Sequence, residues 1–256
     1  MNENNINQNR NDFKGVYLIV LTIVVVAAIL FGVGIRFFRG ASMFGFVSGK
    51  TISYNETCEE FTSIDINAAI GDIRLVSGSD YSVAYVMPDN IETTVKVKNG
   101  TLAIISKGKG KVNNNGVNNK YKITITMPEG TKLDGFTADL DLGNLEFSGF
   151  DIDTVDIKAD LGNVELEDGT FGTVKVKADL GNIELKRVTA KTGNMDASMG
   201  NISISGSFST LIADCNMGSV SYDTKDDISE QMLDLSCDMG SVKVNGEGYG
   251  RKYNSR

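Results

Sequence analysis

Seven copies of one short phrase recur along this chain: an alternating apolar run, a glycine, a small polar residue, and a second alternating run. The glycines are Gly71, Gly143, Gly162, Gly181, Gly200, Gly218 and Gly240, spaced 19 residues apart from Gly143 to Gly200, then 18 and 22. A fixed period of this length belongs to architectures in which each copy buries its apolar face only against the next.

Aligning the copies on the glycine gives five apolar columns, one, three and five residues before it and two and four after it. The column three before reads Ala68, Leu140, Ala159, Ala178, Ala197, Cys215 and Cys237; the column two after reads Ile73, Leu145, Val164, Ile183, Ile202, Val220 and Val242. Intervening positions are mostly polar, a period of two that marks strands with one buried face. Gly followed by Asn, Asp or Ser tolerates a sharp corner. Each copy therefore reads as strand, corner, strand, loop, and stacked copies close a β-solenoid with coils about 4.8 Å apart. Phe150, Phe171, Val188 and Phe208 fill the third side. Met199, Met217 and Met239, one residue before their glycines, read as a core column. Cys215 and Cys237 fall in one column on adjacent coils, as two buried thiols or as a disulfide between coils. The Asn144, Asn163, Asn182 and Asn201 column suits an amide ladder.

The fold expected is all-β: a β-solenoid or β-helix of stacked ~19-residue coils with an N-terminal antiparallel β cap, preceded by one transmembrane helix. The helix expectation rests on GVYLIVLTIVVVAAILFGVGI from Gly15 to Ile35, uncharged and long enough to span a bilayer core. No A-x-A cleavage site follows it, so it reads as an uncleaved anchor rather than a signal peptide. The flanking charges, Arg10 and Lys14 before, Arg36, Arg39 and Lys50 after, are nearly balanced, leaning slightly toward cytoplasmic repeats. The organisation is then a disordered cytoplasmic tail over 1–14, a transmembrane helix over 15–38, a linker over 39–50, a β region or cap over 51–130, solenoid repeats over 131–245 and a polar tail over 246–256. Asn99-Gly100 marks a hairpin, and 107–120 a long polar loop.

Net charge −8 argues against a nucleic-acid partner, which needs a basic face. The absence of His excludes Ser–His and Cys–His nucleophiles and the Cys/His metal spacings. The glycines mark strand corners, not phosphate loops, and the residues imply no cofactor. Carboxylates recur everywhere because the repeat generates them; a catalytic pair should break the repeat at one place, and the sequence shows no such break. The chain is expected not to be an enzyme. The acidic column Asp141, Asp160 and Asp179 reads as a soluble face, with a divalent cation or basic ligand as its alternative.

The phrases ADLGNVEL, ADLGNIEL, SMGNISI, NMGSVSY and DMGSVKV, with the order GDI copy, NGTLAI hairpin and YKITITMPEG, carry a resemblance. Over about residues 51–245 the chain resembles a bacterial family of membrane-anchored β-strand-repeat proteins, a domain of unknown function known as putative adhesins. Together with the apolar segment, which predicts a single-pass bacterial cell membrane protein contacting the lipid bilayer through residues 15–38, the resemblance implies an envelope protein with its repeats extracellular. It implies a non-catalytic cell-surface adhesin or envelope binding and scaffold module, with an envelope protein or a polysaccharide as partner. The alternatives are an accessory component of an envelope-stress signalling system and a carbohydrate-active β-helix enzyme.

Overall fold

The computed structural model describes residues 51–108 and 121–255. Sixteen strands form one sheet wound into coils: β1 (Thr51–Thr57), β2 (Ser63–Ala68), β3 (Asp72–Gly78), β4 (Ser82–Pro88), β5 (Ile91–Lys98), β6 (Thr101–Gly108), β7 (Lys122–Pro128), β8 (Lys132–Leu142), β9 (Leu145–Ser148), β10 (Asp151–Leu161), β11 (Val164–Glu167), β12 (Thr170–Leu180), β13 (Ile183–Asp223), β14 (Met232–Val244), β15 (Glu247–Gly248) and β16 (Lys252–Ser255). The copies stack in parallel and in register. Ile157 lies between Ala138 and Val176, and Val164 between Leu145 and Ile183. β13 runs from Ile183 to Asp223 through the corners at Gly200, Gly206 and Gly218, where the backbone takes positive φ.

The inward columns are buried as their period requires: Ile157, Ala178, Val164 and Ile183 are all within a few per cent of full burial. Each such Val, Leu or Ile contributes about 1.5–3 kcal/mol by leaving water. Phe150, Phe171, Val188 and Phe208 close the third side as anticipated. They do not form one column, however. Ile152, Phe171 and Ala190 share a register, and a Cβ on Gly169 would strike the Phe171 ring at 2.3 Å. Large and small residues thus alternate between adjacent columns so that one ring fills the space its neighbour vacates.

One apolar column is not core. Leu180 (42% exposed), Met199 (45%), Met217 (44%) and Met239 (54%) stand at the surface, and Ile70, Leu142 and Leu161 are half-buried. The chain turns at the glycine that follows each of them, so these side chains sit on the outside of the bend.

The first copy, although 72 residues ahead of the next glycine, stacks directly on it, with β2 parallel to β8 and β3 parallel to β9. The expected antiparallel cap is therefore mixed. β6 and β7 add another parallel layer on β2 and β3, and only then do β5, β4 and β1 pair antiparallel. At the other end the expected polar tail folds back: β15 and β16 pair antiparallel with β14, and Cys237 N–H donates to the Arg251 carbonyl at 2.8 Å. Reversed strands at each end stop a parallel stack from adding further coils.

The transmembrane expectation is corrected. The segment 15–38, with the tail 1–14, the linker 39–50 and most of the loop 107–120, lies outside the described residues. Among the described residues no helix is long and apolar enough to cross a membrane. The one helical piece is a 3-10 turn at Ile228–Glu230, far short of the ~20 residues that a bilayer core demands. The structure is an all-β domain. It gives no support to the single-pass cell-membrane localisation, to bilayer contact through 15–38, or to the membrane-anchored role built on them.

Candidate functional site

The corner at each repeat glycine is built from backbone contact. A Cβ on Gly162 or Gly181 would lie 1.8 Å from the carbonyl oxygen of the glycine one coil below, so only a hydrogen fits. Beside it runs the amide ladder. Asp72 Oδ1 accepts from Asn144 N–H (2.9 Å) and Nδ2 (3.0 Å), Asn144 Oδ1 accepts both from Asn163, and the pattern repeats through Asn182 and Asn201. The ladder starts on a carboxylate, which needs only to accept, and ends where the Ser219 hydroxyl donates to Asn201 Oδ1 at 2.8 Å. This column is structural, with its polar atoms already partnered.

Asp141, Asp160 and Asp179 stand on successive coils, one per coil. Burial, then the charges of Asp160 and Asp139, hold the Asp141 carboxyl above its usual range. Asp179 meets Lys177 Nζ at 3.3 Å and accepts from the Ser198 hydroxyl at 3.4 Å. Among the described residues no group of three or more His, Cys, Asp or Glu is placed to hold a metal ion. The outward glutamates are bridged by cations: Arg74 to Glu146 (2.6 Å), and Lys186 to Glu165 (2.6 Å) and Glu184 (3.1 Å). Cys215 and Cys237 face each other in register as free thiols. Burial, then the neighbouring Cys237, pushes the Cys215 thiol up to about 12.

Two features stand out from this regular surface. The first is an apolar ridge, exposed at Leu180, Met199, Met217 and Met239 and half-buried at Leu142 and Leu161, one side chain per coil beside the acidic column. The second is an irregularity in the length of the repeat. Elsewhere the corner opposite the glycines is closed by backbone bonds, Gly149 N–H to Glu167 O and Asp168 N–H to Lys186 O, both at 2.9 Å. At Arg187 the N–H instead donates to Ser205 Oγ at 3.1 Å. The coil there is one residue short, and the next carries an insertion after Tyr222. A short corner beside a long one leaves a depression of about 650 Å³, floored by Ser205, Gly206 and Ser207 and walled by Arg187, Asp223 and Lys225. The signal for it was the spacing itself, 19, then 18, then 22. The columns alone hide it, because the insertion falls between them.

The profile of the Toastrack DUF4097 family matches residues 61–247. No curated protein matches the chain. Among solved structures, a putative adhesin from Bacteroides fragilis is 23% identical, covers 77% of this chain and 98% of its own, and superposes with a TM-score of 0.50. A putative cell adhesion protein from Clostridium sporogenes is 16% identical over 76% of this chain and 99% of its own (TM-score 0.43). A putative lipid binding protein from Parabacteroides distasonis is 17% identical over 77% and 98% (TM-score 0.35). The first of these shows a shared fold.

Proposed function

This chain belongs to the Toastrack DUF4097 family, and from that premise we propose that it is a non-catalytic adhesin-type module that docks a protein partner along its apolar ridge. The observation that carries this reading is the exposure of Leu180, Met199, Met217 and Met239 in a line, where a solenoid with no partner has no use for apolar side chains. Methionine is flexible and polarizable, and suits a surface that must fit another protein. Two residues before four of the seven glycines stand carboxylates, Asp141, Asp160, Asp179 and Asp238, and these border the ridge. The complementary partner therefore offers apolar side chains flanked by Lys or Arg. Solenoids bind along such extended faces. The absence of His and the repetition of the carboxylates support a role without catalysis.

The experiment is a cell-binding assay. Beads coated with the full chain are mixed with intact bacterial cells and counted against beads coated with Met199→Lys/Met217→Lys, both at solvent-exposed positions. Attachment is expected to fall several-fold in the variant and to stay unchanged in Asp153→Asn, at an exposed residue away from the ridge. Equal attachment by coated and uncoated beads, or by parent and ridge variant, removes the reading.

A further inference from the structure

The depression at the broken corner carries a second, independent site. Its volume of about 650 Å³ lies within the range of small-ligand clefts, roughly 300–1,000 Å³. Its walls are held in place. The 3-10 turn of the insertion is capped by Asp227, whose Oδ1 accepts from Ser229 N–H at 2.9 Å. The buried Gln231 accepts from the Tyr222 hydroxyl at 3.1 Å. Thr224 N–H donates to Asn245 Oδ1 at 2.8 Å, which ties the insertion to the next coil. Arg187 is locked by both oxygens of Asp168 (2.7 and 3.0 Å) and by Glu167. It forms a wall and is not a free cation.

What remains available inside is a mixed set. Asp223 and Lys225 line the depression without a hydrogen-bond or ion-pair partner among the described residues. Asn245 uses its carbonyl on Thr224 and keeps its NH2 open. Asp226 accepts the Ser207 hydroxyl on one oxygen and keeps the other. Ser205 accepts from Arg187 N–H and can still donate its proton. Thr189 adds another hydroxyl.

This chemistry selects a ligand class. Two carboxylates with free oxygens repel an anion, and the Lys225 ammonium opposes a cation. No metal-holding group of carboxylates is present among the described residues. An apolar ligand would strip water from these charges without replacing their bonds. A neutral saccharide meets the set directly. Each ring hydroxyl donates to a carboxylate oxygen and accepts from an ammonium or amide hydrogen. We propose that the depression between Arg187, Ser205 and Asp223–Asp226 binds a short neutral saccharide.

Titration calorimetry on the purified full chain tests this with five trisaccharides: cellotriose, mannotriose and triacetylchitotriose as neutral probes, trigalacturonate as the anion, and chitotriose as the cation. At least one neutral probe is expected to bind. Asp223→Asn/Lys225→Met should weaken that binding about tenfold or more, since charged hydrogen bonds are lost. Both positions are exposed, so the thermal midpoint should be retained. Thr189→Tyr should also abolish binding by filling the space with neither charge altered, while Met199→Lys on the ridge leaves it intact. If no neutral probe binds, if only the charged ones do, or if binding survives both variants, the site is not a saccharide site.

Discussion

At the scale of single residues, the glycine corner and the thiol pair make the sharpest statements. Gly162 sits where a methyl group would overlap the Gly143 carbonyl, at 1.8 Å, while a Cβ on Gly248 would meet nothing within 4 Å. Gly162→Ala must push two coils apart, and should cost about 3 kcal/mol or more. Gly248→Ala should change stability by no more than about 0.5 kcal/mol. Urea denaturation of the two variants separates these outcomes. The Cys215 thiol, pushed to about 12 from its usual 9.0 by burial and then by Cys237, gives a pH dependence with a definite sign. The folded protein holds that proton when the unfolded chain has lost it. The stabilisation is complete below pH 9 and disappears as pH climbs to about 12. Tyr222, raised above 10.0 chiefly by burial, acts in the same direction. Cys215→Ala should flatten the fall of stability across that window, as read from denaturation midpoints at pH 8, 9, 10 and 11. An unaltered slope would show that the thiol is not protected as described.

At the scale of elements, the sequence reveals what repeats and conceals what happens once. The columns of Ala159, Val164 and Leu166 declare their face by period alone, and stacking follows because no single copy can bury them. Parity does not reveal that Leu180 and Met199 leave the core, since alternation holds within a strand and lapses at a bend. The stacking of β2 on β8 across a long excursion was legible only as a matching phrase, with no local signal for pairing at that distance. The saccharide depression was hidden for a related reason: an insertion placed between columns leaves every column intact. β15 and β16 were unreadable because strands of two and four residues, Glu-Gly and Lys-Tyr-Asn-Ser, have no period. Their role is nonetheless definite, since they cover the outer edge of β14 at Leu233–Ser236 and Lys243–Val244. A chain ending at Asn245 should expose that edge and associate through it. Light scattering is expected to show a higher mass that grows with concentration, whereas a monomer identical to the parent would mean β14 needs no cover.

At the scale of the molecule, a stack is nearly one-dimensional: each coil touches only its neighbours, so stability is a sum of coil and interface contributions. The interior coils around Gly162 have a neighbour on both sides, through β8 to β12 and through β9 to β13. The last coil has β14 on β13 on one side and only the short β15 and β16 on the other. The same chemical change should therefore have different reach. Leu166→Ala, at a fully buried residue in the middle of the stack, leaves a cavity between two interfaces and should cost about 2–5 kcal/mol. It should lower the protection of amides on every coil, because opening there divides the stack. Val244→Ala, equally buried but in the final coil, should loosen β14 to β16 and leave coils below Gly200 as protected as before. Hydrogen exchange resolved along the chain distinguishes the two patterns. Should Val244→Ala reduce protection evenly from β2 to β14, the domain would unfold only as a whole. The ridge and the depression would then rest on one cooperative body instead of on separately adjustable coils.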